Sequence, residues 1–206
     1  MRSRRKMLGY AAAFAVVGII IFVVWLISTG FFTPNYGTRQ IVMDEWDLST
    51  DVGATIYKGT AYGYPSLIFN VTSSAGSEAY MLARSNSEFS LKSISLIRTS
   101  DTSCRIDWGW LGFGENYAFL IWNGTHWIAN TDNGSRNPEV TVISGYAPSA
   151  NWRELRIEAS VTEVKYYLDS DLVATHVNRI PSGTFQFYGE LKSSNVATQL
   201  YIASHH

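Results

Sequence analysis

Residues 151–181 read NWRELRIEASVTEVKYYLDSDLVATHVNRIP. Leu155, Ile157, Ala159 and Val161 alternate with Arg156, Glu158 and Ser160, the period-2 pattern of a strand with one buried face. Val164 to Leu168 and Leu172 to His176 follow, separated by Asp169-Ser170-Asp171, a hairpin turn signal. Ile180-Pro181 ends the run. Three short antiparallel strands in succession point to an all-β domain.

The same signature recurs on both sides. Upstream, Ile41 to Thr60 opens the sheet, Tyr62-Gly63-Tyr64-Pro65 reads as a turn, and Leu67, Phe69 and Val71 alternate. Tyr80 to Ala83 is a further strand. Phe89, Leu91, Ile94 and Leu96 form another, with one phase break. In Arg105 to Leu111, Ile106, Trp108 and Trp110 share a face opposite Arg105 and Asp107. Tyr117 to Trp122 and His126 to Asn130 flank Asn123-Gly124-Thr125, an Asn-Gly hairpin signal. Val140 to Ile143, Phe185 to Leu191 and Gln199 to Ala203 complete the set. Short strands at regular spacing, with no helical period among them, predict a two-sheet antiparallel sandwich over residues 41–204.

The amino-terminal segment differs in kind. Met7 to Ile27 is apolar and uncharged, long enough to cross a bilayer at about 1.5 Å per residue. Arg2, Arg4, Arg5 and Lys6 precede it, and basic flanks stay on the cytoplasmic side. The expected layout is a basic tail at 1–6, a transmembrane helix at 7–28, a linker at 29–40, and an extracytoplasmic sandwich. A cleaved signal peptide and a pilin-like core helix are the competing readings. The apolar run is longer than an ordinary signal core, and no small-x-small site follows it.

Charge narrows the partners. Four of the 16 basic residues lie before Met7, leaving 12 against 17 acidic ones in the remainder. An acidic domain does not suit nucleic acid, so membrane lipid, glycan and neighbouring protein subunits are the partners expected. Cys104 is the single cysteine and falls on the inward phase of its strand, as a buried inert thiol would. No histidine spacing suits zinc.

At residues 151–181 the pattern resembles the concanavalin A-like, or laminin-G-like, jelly rolls. Trp152 opens a strand, Leu155-Arg156-Ile157-Glu158 continues it, Tyr166-Tyr167-Leu168-Asp169 leads into the turn, and Leu172 to His176 leads on to Ile180-Pro181. Ile106-Asp107-Trp108-Gly109, Trp122-Asn123-Gly124 and Trp127-Ile128-Ala129 look like earlier strands and the middle hairpin of the same sandwich. The family usually has Asp-Gly where this chain has Asp169-Ser170. If that turn needs positive φ, serine costs on the order of 1 kcal/mol against glycine.

The resemblance implies three functions. Glycosidases on this fold carry two catalytic carboxylates on one strand in a Glu-x-Asp-x-Glu arrangement, and no such triplet occurs here; Glu154 and Glu158 share a strand face that is expected to be solvent-exposed. Lectin-like members stack aromatics on sugar. For that role Trp122, Trp127, Tyr117, Asn130, Asp132 and Arg136 are the expected ligand-binding residues, set against the tryptophans' alternative as core. Asn130, Asp132 and Asn133 also offer the oxygen ligands that calcium takes, the one ion the resemblance admits. Asn70, Asn123 and Asn133 head Asn-x-Ser/Thr sequons for N-glycosylation. The expectation drawn is a non-enzymatic, membrane-anchored surface protein for recognition or adhesion. A structural or accessory subunit is the alternative, and a glycoside hydrolase stands behind both.

Overall fold

A computed structural model of the chain describes residues 46–74, 76–83, 87–88, 91–148 and 151–205. Among them are fifteen strands: β1 (Trp46–Thr50), β2 (Ala54–Ala61), β3 (Tyr64–Val71), β4 (Glu78–Ala83), β5 (Ser87–Glu88), β6 (Leu91–Thr99), β7 (Cys104–Gly112), β8 (Asn116–Trp122), β9 (Trp127–Asn133), β10 (Glu139–Ile143), β11 (Arg153–Ala159), β12 (Val164–Leu168), β13 (Asp171–His176), β14 (Thr184–Ser193) and β15 (Thr198–His205). They form two antiparallel sheets. One has eight strands in the order β1-β4-β14-β7-β8-β9-β10, with β5 also on β14; the other has seven, β13-β12-β11-β6-β15-β3-β2. This is a jelly-roll sandwich. The expected span at 7–28, the linker at 29–40 and Phe89 lie outside the described residues. Among the described residues no helix is long and apolar enough to cross a membrane.

The strands of 151–181 are β11, β12 and β13, paired Leu155↔Leu168 and Leu168↔Asp171. The turn between β12 and β13 is two residues, Asp169 (φ 51°) and Ser170 (φ 71°). Both angles are positive, as a type I′ hairpin requires. Tyr62 (φ 51°) and Gly63 (φ 85°) make the same turn between β2 and β3. Asp169 holds its corner in place: its carboxylate accepts the Glu154 amide at 3.0 Å and pairs with Arg153.

Inward-facing residues of both sheets make one core. Trp108, Trp127, Phe69, Phe185, Phe187 and Tyr166 are its large members, all under 2% exposed. Cys104 is buried there too, and burial pushes its thiol up to about 12, so it is not a nucleophile near neutral pH. In β6 the phase differs from expectation. Ser93, Ser95, Ile97 and Thr99 face the core, while Leu96 is buried on the other face. The reason is Trp108, whose indole N–H donates to Ser95 Oγ across the sandwich at 2.7 Å. A buried indole needs such a partner. Glu154, expected in solvent, is also buried, and accepts from the Ser170 hydroxyl at 3.3 Å.

A second inter-sheet bond set lies toward β10 and β13. Thr131 Oγ1 is 2.6 Å from both Tyr166 Oη and His176 Nδ1, and His176 Nε2 is 3.0 Å from Thr141 Oγ1. Burial lowers the His176 pKa, with Glu139 opposing.

Two outcomes follow from this architecture. Ser170→Gly removes the positive-φ penalty and loses one long hydrogen bond, so thermal unfolding should move up by roughly 2–4 °C, the equivalent of about 1 kcal/mol. For His176 the unfolded chain binds the proton more readily than the fold does. Its contribution to stability is therefore full above the unfolded pKa of about 6.5 and falls as pH drops toward the lowered native value. Denaturant titrations at pH 7.5 and 5.5 should show a loss in the wild type that His176→Gln diminishes.

Candidate active site

The candidate site is the outer face of the eight-stranded sheet, centred on β7 and β14. Alternation in β7 sends Ile106, Trp108 and Trp110 into the core and leaves Arg105, Asp107 and Gly109 on the outer face. In β14 the same rule buries Phe185, Phe187 and Leu191 and turns Tyr188, Glu190 and Lys192 outward. The register pairs Glu190 with Asp107, Tyr188 with Gly109 and Lys192 with Arg105. Two carboxylates thus lie side by side on neighbouring central strands.

Each carboxylate has a cation. Arg105 grips Asp107 through both oxygens, Nε to Oδ1 at 2.8 Å and Nη2 to Oδ2 at 2.9 Å. Lys192 Nζ lies 3.0 Å from Glu190 and 3.1 Å from Glu78. The side chain of Glu190 is 4% exposed and that of Asp107 12%, whereas Arg105 is 50% exposed and Lys192 42%. The acids are therefore sunk and the cations stand above them. Burial raises the Glu190 pKa; Lys192 opposes this, and Asp107 and Glu78 add to it. The Tyr188 hydroxyl is raised as well, by burial first and then by Glu190.

Gly109 shapes the ground beside this cluster. A Cβ there would lie 2.1 Å from the Ala118 carbonyl oxygen and 2.9 Å from Phe119 Cα. With no side chain in the way, the Phe119 and Tyr188 rings approach over β7 to 5.9 Å, Tyr188 reaches Tyr80 at 6.0 Å, and Tyr117 stacks on Phe119 at 5.3 Å. Tyrosine and phenylalanine faces beside carboxylates offer apolar surface and hydrogen-bonding groups together, which is what a sugar ring presents in turn.

The residues expected from sequence are divided by the structure. Tyr117, Asn130 and Asp132 do lie on this outer face, on β8 and β9, with Tyr117 paired to Asp132. Asp132 Oδ1 accepts from the Ser135 amide at 2.9 Å and its hydroxyl at 3.0 Å, so it caps the loop after β9. Arg136 is exposed on that loop and pairs with Glu115 at 2.8 Å. Trp122 and Trp127 are in the core, 2% and 0% exposed, and their indoles donate to the carbonyls of Thr102 and Tyr146. A stacking role is closed to both, because they continue the inward phase of Ala118, Leu120 and Ala129. The three candidate calcium ligands do not converge, since Asn133 falls on the opposite strand parity from Asn130 and Asp132. Among the described residues no cluster of three His, Cys, Asp or Glu could hold a metal. Of the sequon asparagines, Asn123 and Asn133 are exposed and Asn70 is half-buried on β3. Glu190 and Tyr188 escaped sequence reading. The available signal was a lone acid in the apolar run FQFYGELK.

No family model matches the chain, and no curated protein matches it. Solved structures do. The sandwich is similar to the apo Crh5 transglycosylase, with a TM-score of 0.65 at 12% identity over 82% of this chain and 80% of that one. It is similar to a Bacillus licheniformis beta-glucanase, with a TM-score of 0.60 at 11% identity over 81% and 92%. The catalytic domain of an endo-1,3-beta-glucanase (laminarinase) from Thermotoga petrophila gives 0.60 at 10% over 81% and 91%. The fold is the concanavalin A-like jelly roll. These neighbours overturn the expectation of a non-enzymatic, lectin-like surface protein, for they are glucanases and a transglycosylase. No Glu-x-Asp-x-Glu run occurs in β7. Positions 105, 107 and 109 share one face and carry Arg, Asp and Gly, so Asp107 is the one carboxylate of the three and Glu190 stands beside it from the next strand.

Position 109 cannot take a glutamate as it stands. Gly109→Ala should destabilise the domain by about 2–4 kcal/mol, because the new Cβ meets backbone rather than a movable side chain. Denaturant midpoints measure this; a wild-type midpoint would refute the close approach.

Proposed function

We propose that the outer face of the eight-stranded sheet acts on a β-linked glucan, as a glycoside hydrolase or transglycosylase, with Glu190 and Asp107 as its carboxylates. The observation that carries this is the pairing of two sunken carboxylates across β14 and β7, one with a raised pKa. The glucanase and transglycosylase neighbours support the substrate class. Placement outside the membrane accords with the basic-then-apolar start of the sequence.

The chemistry assigns the two acids different tasks. Glu190, whose pKa burial raises, is the general acid that gives its proton to the glycosidic oxygen. Asp107 attacks the anomeric carbon as the aglycone leaves, forming a glycosyl ester. Water, or a sugar hydroxyl in transfer, then displaces Asp107 and gives its proton to Glu190. Cross-strand partners have Cβ atoms about 4.5–5.5 Å apart, which suits the closer carboxylate spacing of enzymes that retain anomeric configuration. Attack needs one Asp107 oxygen freed from Arg105, so the half-exposed guanidinium has to move as the sugar enters.

The test is incubation of the full chain with β-1,3- and mixed-linkage glucans, following reducing ends and the size of labelled oligosaccharides. Glu190→Gln and Asp107→Asn should each lower turnover by at least about 100-fold. Activity should fall as pH rises through the elevated Glu190 pKa. Retention of glucan with no bond cleaved or transferred would sink the reading.

A further inference from the structure

We infer that the outer face of the seven-stranded sheet carries a second binding site, built around Arg98 and a cluster of tyrosines, for a carboxylate-bearing sugar of the uronic-acid class. The site lies on the opposite side of the sandwich from Glu190 and Asp107. The inference is independent of the catalytic reading.

Strand alternation assembles the site. β3 turns Phe69 and Val71 into the main core and Ile68 outward; β15 buries Leu200 and Ile202 and presents Tyr201; β6 buries Ile97 and presents Arg98. The register sets Tyr57, Ile68, Tyr201 and Arg98 in one row across β2, β3, β15 and β6. The turn between β2 and β3 brings the Tyr62 ring to 5.3 Å from Tyr201, edge to face. Trp152, just before β11, stands 6.3 Å from Tyr62 and 5.5 Å from Tyr64 in the same manner. Four aromatic side chains are exposed among the described residues, and three of them, Tyr57, Tyr62 and Tyr64, belong to this patch. Single exposed rings are ordinary, whereas a gathering of them on one sheet face marks a binding surface.

Charge selects the ligand. Four described arginines stand on strands, and Arg105, Arg153 and Arg156 each pair with a carboxylate. Arg98 pairs with none. The Tyr62 ring covers its guanidinium at 3.6 Å, and Nε donates to nothing. Trp152 Nε1, in the same cluster, also lacks an acceptor. Buried donors without partners are costly, and two together call for an acceptor from outside the chain. A carboxylate fits the planar edge of a guanidinium in two-pronged fashion, and Tyr62 occupies only the face. A sulfated or phosphorylated polymer calls for more cations, yet Arg153 and Arg156, the other arginines described on this sheet, already hold acids. The apolar face of a pyranose ring matches an exposed tyrosine. Its hydroxyls meet a polar chain at the rim, where Tyr201 Oη donates to Gln199 Oε1 at 2.6 Å and Gln199 Nε2 donates to Tyr57 Oη at 3.4 Å.

The experiment is calorimetric titration of the full chain in mild detergent, carrying Asp107→Asn so that no sugar is turned over. The probes are a short oligoglucuronate, a neutral oligoglucan of the same length, and vesicles of phosphatidylglycerol. The oligoglucuronate should bind at least about tenfold more tightly than the neutral chain, the margin that one charge-assisted contact gives. Arg98→Met keeps the apolar stem and should weaken oligoglucuronate binding at least tenfold, with Arg98→Lys restoring part of it. Tyr64→Ser, at an exposed ring, should weaken it roughly three- to tenfold with an unchanged unfolding midpoint. Oligoglucuronate that fails to bind, or binds no better than the neutral chain, overturns the inference. So does binding that Arg98→Met leaves intact, which would place the anion elsewhere. Capture of the vesicles without the sugar also overturns it, and would assign the patch to a lipid surface.

Discussion

One buried hydrogen bond orders the centre of this sandwich: the indole N–H of Trp108 reaching Ser95 in the opposite sheet. A tryptophan in a core brings its largest gain in buried area together with a donor that must be satisfied. Room for it comes from Gly189, its register partner, where a Cβ would stand 2.2 Å from Trp108 Cζ3. Phe187 packs edge-on against the same indole at 5.2 Å. The bond fixes which way β7 faces. Once Trp108 points inward, Asp107 and Gly109 must point outward, and the pairing of β14 brings Glu190 beside Asp107. The site is thus a consequence of how the core is filled.

That dependence explains what the sequence could and could not disclose. The alternation of β11 to β13, the Asn-Gly hairpin after Trp122 and the inward phase of Cys104, Ile106 and Trp108 are local properties, and they appear in the structure where the pattern put them. Ser95 and Ser93 defeat the pattern because polarity alone assigns them outward, while their partner Trp108 lies in another strand. Trp122 and Trp127 show the converse. Their aromatic character suggested a sugar platform, yet their phase with Ala118, Leu120 and Ala129 was already that of the core. The β14 strand carries Glu190 83 positions beyond Asp107, and nothing in either strand records the register that joins them.

The outer face also shows how charge can be sunk without being lost. Asp107 and Glu190 would repel if left alone on neighbouring strands. Arg105 and Lys192 relieve that cost, each from the same strand as its acid and two residues away, so that pleat alternation alone sets them on the same face. A buried pair of this sort adds little net stability, because desolvation offsets the attraction.

Gly109 shapes the same face. Glycine inside a central strand weakens it, and such a glycine marks a place where other groups must come close. Here the groups are Phe119 and Tyr188, whose rings meet over the bare backbone at 5.9 Å. A glutamate at this position, as in the one-strand arrangement, would hold those rings apart and collide with the Ala118 carbonyl. The aromatic surface and the one-strand carboxylate triplet therefore exclude each other on β7. The acid beside Asp107 comes from the neighbouring strand β14, at the register position directly opposite. The close approach of the aromatic rings thus rests on the side chain that Gly109 lacks.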